Sequence, residues 1–304
     1  MSKLILMGTP AFVVPIFEDL RKHHEIIAVF TRKPKPTGRK LVLTKTPVHE
    51  WAESHNIPVH TNIKDFDNIA GSNSPSLATR NVRVDISAVA TAGCPKGGVV
   101  DYIIVAAYGV ILKDNVLNAA PCVNVHPSDL PKYRGPTPIS TAILNGDAES
   151  AICIMEMVNE VDAGAVYMRE KFEIGENDTT DDIEKLVSRR AGPMLLEYLK
   201  APDAHPPVPQ TGTPTFTQKI TTADTEIDWK KSPCEIHNQI RAIGGKTQIN
   251  GIDCKIIKTH LFDDTKEKSD GTVKNGDLVI DIIQPSGKRP MPMRDFLNGH
   301  KNAL

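Results

Sequence analysis

Apolar positions in the first two-thirds of the chain fall into short, nearly unbroken runs. Leu4–Met7, Glu25–Thr31, Tyr102–Ala107, Cys122–His126, Ala151–Met157 and Gly164–Ile174 all read as strands. Between them the apolar spacing turns helical, as at Ile16, Phe17 and Leu20, where Thr9 can cap a helix running from about Pro15. Continuous apolar strands alternating with helices predict a parallel sheet covered on both faces, with ligands bound at the strands' carboxyl ends. A further helix begins near Thr179 with Asp182 closing its cap, and Ile183, Leu186, Val187, Leu195 and Tyr198 face inward. Gly192-Pro193 is expected to kink or split it.

The pattern then changes. Residues 201–214 hold five prolines in fourteen positions and read as an extended, semi-rigid spacer. Beyond it, Ser232-Pro233-Cys234-Glu235 is a strong helix start, with Ile236, Ile240 and Ile243 on one face. Asn250-Gly251 and Asn275-Gly276 mark tight hairpins between β-rich runs, so a small β-barrel carrying one helix is expected. The division is 1–200, a spacer at 201–214, and 215–304. The stretch 65–98 has weak periodicity and takes no assignment.

Composition narrows the class. The 304 residues carry a net charge of −1, so the whole-protein field does not attract nucleic acid, and any polyanion must meet a local basic patch. The one dense patch is 31–49, where Arg32, Lys33, Lys35, Arg39, Lys40 and Lys45 occur without an acidic residue. Its default reading is a solvated loop; its exit from a strand end makes it a candidate for phosphate contact. The sparser cluster of Lys288, Arg289, Arg294 and Lys301 reads as surface solvation. Five dispersed cysteines with no Cys-x-x-Cys pair argue against a disulfide framework and a zinc ribbon. The longest apolar run, Tyr102 to Leu112, is too short to span a bilayer, and Pro10, Pro15, Glu18 and Asp19 spoil the start as a signal peptide. A cytoplasmic location is expected. There is no Gly-x-Gly-x-x-Gly and no phosphate loop, which disfavours dehydrogenases and NTPases.

Candidate chemistry lies in residues 124–135. Strand alternation puts Asn124 and His126 on one face, and Pro127 ends the strand at His126. An amide donor and an imidazole thus meet at a strand's carboxyl end. The alternative is a histidine that merely bonds a loop carbonyl. Asp162 follows another strand end and can reach His126, fix its tautomer and raise its pKa; turn chemistry is the competing explanation.

These residues, with GTPAF at 8–12, VAAYGVIL at 105–112, the Asn-Val-His-Pro-Ser run through YRGPTPI at 124–139 and Asp-Ala-Gly at 162–164, resemble the folate-dependent formyltransferases. PTGRK at 36–40, FTQKITTADTEIDW at 216–229 and QPSGK at 284–288 are most similar to the branch that acts on methionyl-tRNA. The resemblance implies a Rossmann-like catalytic domain followed by an OB-like barrel. It implies formyl transfer from 10-formyltetrahydrofolate to initiator methionyl-tRNA, with no metal, by a monomer. Asn124, protonated His126 and Asp162 would be catalytic. Ser128, Asp129, Leu130 and Pro131 would lie against the folate. Val105, Ala106, Ala107, Tyr108, Gly109 and Val110, with Val158, Asn159, Glu160 and Val161, would enclose the pterin. Arg32, Lys33, Lys35, Arg39, Lys40 and Lys45 would meet the acceptor stem, and the second domain, with 14 basic and 12 acidic residues over 214–304, would track the tRNA body weakly. Three departures stand out. Asp129 replaces a usual leucine, Gly244-Gly245-Lys246-Thr247 replaces Asn-Pro-Trp-Pro, and the last hairpin is shortened around Asn275–Ile283. The same residues also suit an amino-sugar-nucleotide formyltransferase or a 10-formyltetrahydrofolate hydrolase, and a non-catalytic RNA-binding protein would not need them. The basic loop favours tRNA over a sugar nucleotide.

Overall fold

A computed structural model describes residues 1–38, 41–70, 100–266 and 276–299. β1 (Lys3–Gly8) leads into α1 (Val14–His23), on which Ile16, Phe17 and Leu20 are fully buried. β2 (Glu25–Phe30) is followed by a small hairpin of β3 (Lys35–Thr37) and β4 (Val42–Thr44). Next come α2 (Pro47–Ser54), β5 (Val59–His60), α3 (Phe66–Ala70), β6 (Tyr102–Ala106), α4 (Asp114–Leu117) and β7 (Cys122–His126). α5 (Pro138–Leu144), β8 (Glu149–Glu156), β9 (Val166–Glu173) and α6 (Thr180–Lys200) follow. The remainder is α7 (Pro233–Ile243), β10 (Gly245–Ile249), β11 (Ile252–Leu261), β12 (Leu278–Pro285), β13 (Met291–Pro292) and α8 (Met293–Gly299).

The main sheet has the order β5-β2-β1-β6-β7-β8-β9. The strands from β5 through β7 pair in parallel, and their apolar runs build a core of Ile5, Met7, Phe30, Ile103 and Val105. β8 departs from the parallel expectation and runs antiparallel to β7, placing His126 opposite Cys153. An apolar run does not encode strand direction, and a sheet buried on both faces accepts either sense at its edge.

Contacts divide the chain into two compact units, each gathered from separate stretches. The first holds Met1–Pro136, Ala151–Lys171 and Lys185–Thr215; the second holds Thr137–Ser150, Phe172–Glu184 and Phe216–Leu304. The segment 201–214, read as a spacer, packs within the first unit. Val208 exchanges backbone hydrogen bonds with Val166 at 2.8 and 2.9 Å, because a proline-rich stretch that is already extended can pair like a strand.

In the second unit the four strands β10–β13 form an antiparallel sheet packed by α7 and α8 around Ile236, Ile240, Ile256, Ile283 and Phe296. The Ser232 capping box forms as its sequence predicts. Asn250 and Gly251 both adopt positive φ (53° and 76°), as a two-residue hairpin turn requires. Asn275 lies outside the described residues. The polar side of α7 is also buried: Arg241 donates to the Asp178 carbonyl (2.9 Å) and His237 to the Glu176 carbonyl (3.0 Å), which ties 172–184 into this unit.

Two helix expectations change. α6 continues through Pro193 without splitting, since Val187, Ala191 and Leu195 stay buried on either side of the missing hydrogen bond. Thr9 does not cap α1; its hydroxyl donates to the Tyr108 carbonyl at 3.2 Å instead. Of the unassigned stretch 65–98, residues 71–98 lie outside the described residues. No described helix is long and apolar enough to cross a membrane.

Candidate active site

Asn124 and His126 lie on β7, 8% and 4% exposed, at the carboxyl end of the parallel strands. His126 Nε2 donates to the Tyr133 carbonyl at 3.0 Å. Nδ1 faces Asp162 Oδ2 at 3.6 Å. Asp162 is held in the left-handed region (φ 48°), and its Oδ2 accepts from the Gly135 amide at 2.7 Å. The three residues picked from the sequence are therefore placed at one locus, and the competing reading of His126 is half right, since one ring nitrogen does serve a loop carbonyl. The Asn124 carboxamide makes no hydrogen bond to the protein among the described residues, so its N–H groups are free to donate to a substrate oxygen.

The charge state differs from the sequence expectation. Burial pushes the His126 pKa below its ordinary 6.5, outweighing Asp162 and the Tyr133 carbonyl, which both act to raise it. The resting ring is then neutral, with its proton on Nε2. Nδ1 is then the unprotonated ring nitrogen, and the Asp162 carboxylate lies beside it to stabilise an imidazolium once one forms.

Behind His126 the loop is tightly bonded. Ser128 donates from its amide to the His126 carbonyl (3.0 Å) and from its hydroxyl to the Lys132 carbonyl (2.6 Å), while Leu130 is fully buried. The Leu130-Pro131 peptide bond is cis. Asp129 does not stand as an isolated charge beside this loop: it pairs with Arg169, and Lys171 Nζ lies 3.8 Å from its other oxygen.

The 105–110 segment leaves β6 with Ala107 and Gly109 at positive φ (45° and 68°), while Tyr108 turns inward, 3% exposed. The Tyr108 carbonyl accepts from Thr9 and from Arg32 Nε at 3.2 Å each, and Arg32 also donates to the Gly109 carbonyl. Val110, Val158 and Val161 are 38%, 39% and 49% exposed. Glu160 directs its carboxylate to Arg134 (3.0 Å), and Asn159 is exposed.

The basic loop separates into groups. Arg32 ties down the 108–109 carbonyls, and Lys45 pairs with Glu53 at 2.6 Å, so these two cations already have protein partners. Lys33 and Lys35 are exposed with no partner among the described residues. Arg39 and Lys40 lie outside the described residues. A Cβ on Gly109 would come within 2.1 Å of Arg32 Nη2. Gly109→Ala is therefore expected to expel the guanidinium and to strain the backbone, costing about 1–2 kcal/mol. A melting temperature unchanged from the wild type would contradict this.

Sequence reasoning passed over Thr9 and Arg32 as supports of the 108–109 carbonyls. It also missed Gln210 within the supposed spacer, Arg134, which bonds to it, and Thr215 just beyond it, which bonds to Tyr133. For Arg134 the signal was its place in the YRGPTPI run that carries the family resemblance.

A buried imidazole–carboxylate pair, beside an amide with no partner among the described residues and at the carboxyl ends of a mostly parallel sheet, is an arrangement suited to proton transfer next to a polarised carbonyl. Residues 2–199 match the formyl transferase family and 219–301 its C-terminal domain, and the chain belongs to this formyl transferase family. It is similar to the methionyl-tRNA formyltransferase of Cereibacter sphaeroides (ATCC 17025), at 34% identity over 98% of this chain and 96% of that protein. The corresponding protein of Rickettsia bellii is 31% identical over 99% and 98%. Solved structures share the fold. An N-formyltransferase from Helicobacter canadensis, in complex with folinic acid and dTDP-3-aminofucose, superposes with a TM-score of 0.62 at 21% identity, covering 95% of this chain and 96% of that one. The methionyl-tRNA formyltransferase from Clostridium thermocellum gives 0.55 at 15% identity, covering 94% and 99%.

Proposed function

We propose that this formyltransferase moves the formyl group of 10-formyltetrahydrofolate onto the free amino group of initiator methionyl-tRNA, acting as a cytoplasmic monomer. The unpaired Asn124 amide beside the His126–Asp162 pair is the observation that carries the chemistry. The near full-length similarity to methionyl-tRNA formyltransferases supports the acceptor. The exposed valines 110, 158 and 161 and the polar backbone of 105–110 and 158–161 fit a pterin.

When bound, 10-formyltetrahydrofolate supplies the formyl carbon and the nitrogen that leaves it. Asn124 donates to the formyl oxygen as negative charge develops there. His126 Nδ1 takes the proton released by the attacking amine, and Asp162 stabilises the imidazolium. His126 then returns that proton to the departing folate nitrogen, and Asn124 keeps its hold on the oxygen until the carbonyl re-forms. A carbon–nitrogen bond forms at methionine, one breaks at the folate, and the ring ends neutral.

The deciding experiment follows labelled formyl from 10-formyltetrahydrofolate, with charged initiator tRNA, uncharged tRNA and a dTDP-amino sugar offered in parallel. Label on the charged tRNA alone is expected. Label on the sugar, or donor hydrolysis without any labelled acceptor, would overturn the tRNA reading. Lys33 and Lys35 are proposed to contact the acceptor stem, so the Lys33→Ala/Lys35→Ala variant should raise KM for the tRNA with little change in KM for the folate. It should also flatten the dependence of log affinity on log salt by roughly 1.4–1.8. An unaltered salt slope would remove both lysines from the interface.

A further inference from the structure

The proline-rich segment bonds to both neighbours of His126. Gln210 Nε2 donates to the carbonyls of Asp162 and Gly164, each at 2.8 Å, and so grips the backbone on both sides of Ala163. Its Oε1 accepts from Arg134 Nε (3.1 Å) and Nη2 (2.9 Å), and Arg134 Nη1 reaches Glu160 at 3.0 Å. Five residues on, Thr215 Oγ1 accepts from the Tyr133 amide at 2.8 Å, and the Thr215 carbonyl accepts from the Arg134 amide at 2.9 Å. Tyr133 presents the carbonyl that fixes His126 Nε2, and Asp162 presents the carboxylate opposite Nδ1. Both are left-handed residues (φ 62° and 48°), an uncommon conformation for any side chain and a costly one for the bulky Tyr133, which external hydrogen bonds help to hold. Arg134 is only 8% exposed, so its guanidinium is spent inside the protein and not on a polyanion.

We propose that Gln210 and Thr215 are positioning residues for the formyl-transfer site, acting as two latches that hold the acceptors on either side of the His126 ring. This rests on the reading of His126 and Asp162 as the proton-handling pair. Gln210 governs the Asp162 side and Thr215 the Tyr133 side. Neither touches the formyl group. Their contribution is to keep the carboxylate and the carbonyl in line with the two ring nitrogens, where a displacement of about 1 Å can cost roughly 10²-fold in rate.

The test compares Gln210→Met, which keeps the side chain's length without its hydrogen bonds, in two backgrounds. In the otherwise wild-type enzyme kcat should fall roughly 10–100-fold, with KM for donor and acceptor little changed. In the Asp162→Ala background the same change should cost less than about twofold, because a latch with nothing left to position has no effect. Equal losses in both backgrounds would overturn the proposal and make Gln210 a general structural residue, and so would full activity in the single variant. Thr215→Val provides a second variant if Gln210→Met does not fold, with the same loss expected in kcat and the same failure if kcat is unchanged. The ring nitrogen resonances of His126, read by NMR without substrate, should shift in Gln210→Met and Thr215→Val. That readout stands even if the wild type proves to formylate a different amine, so failure of the latch and failure of the proposed acceptor give different results. Unshifted resonances would reject the latch.

Discussion

His126→Ala is expected to lower kcat by roughly 10²–10⁴, the range typical for removing a positioned acid–base group. The loss falls on kcat more than on either KM, because the ring's work begins when the amine attacks. Burial also determines the pH at which the effect appears. With its pKa pushed below 6.5, His126 stays neutral and able to accept a proton down to more acidic pH than an ordinary histidine. The acidic limb of kcat/KM should therefore lie below 6.5 in the wild type and vanish from the residual activity of His126→Ala. Folding is linked with the same sign. The folded state binds its proton less readily than the unfolded chain. The stability this group contributes is thus intact above the unfolded pKa and declines as pH falls from about 6.5 toward the folded value. An acidic limb above 6.5, or one that survives the substitution, would assign the proton to another group.

The second large effect is on stability. A Cβ on Gly164 would stand 2.1 Å from the Glu156 carbonyl oxygen and 2.8 Å from its carbon. These are backbone atoms, and the Glu156 amide is itself bonded to the Ala165 carbonyl at 2.9 Å, so the strand has nowhere to retreat. Gly164→Ala is expected to cost at least the 1–3 kcal/mol usual for overpacking, seen as a drop of several degrees in melting temperature. Because Gly164 follows Asp162 by two positions, kcat should fall as well. A variant that melts with the wild type would mean that β8 and the 162–164 turn separate freely.

The sheet and the candidate residues were legible in the sequence for different reasons. Strands such as Leu4–Met7 and Tyr102–Ala106 are apolar throughout because both faces are covered, and that pattern is local. Strand alternation put Asn124 and His126 on one face, but Asp162 joined them through the family resemblance, since its position after a strand suits a turn equally well. The direction of β8 was not legible, since an apolar run reads alike both ways. Burial of His126 depends on residues 128–135 folding back over it, so the direction of its pKa shift was beyond a count of neighbouring charges. Gln210 was hidden most thoroughly. A glutamine among prolines looks like surface, and its importance comes from bonds to carbonyls 46 and 48 positions earlier. Arg32 is the converse case: it stands in a cationic run, and its bonds to two carbonyls are invisible in the sequence.

Thr215 follows Tyr133 by 82 residues, and this separation bears on how the protein is born. At usual rates of synthesis of about 5–20 residues per second, roughly 4–16 s pass between the appearance of the two positions. During that interval a growing chain already contains Asn124, His126 and then Asp162, but not the segment that fastens the loops around them. The order of translation thus leaves the loop behind His126 without its Thr215 bond until the last strap of the first unit has emerged.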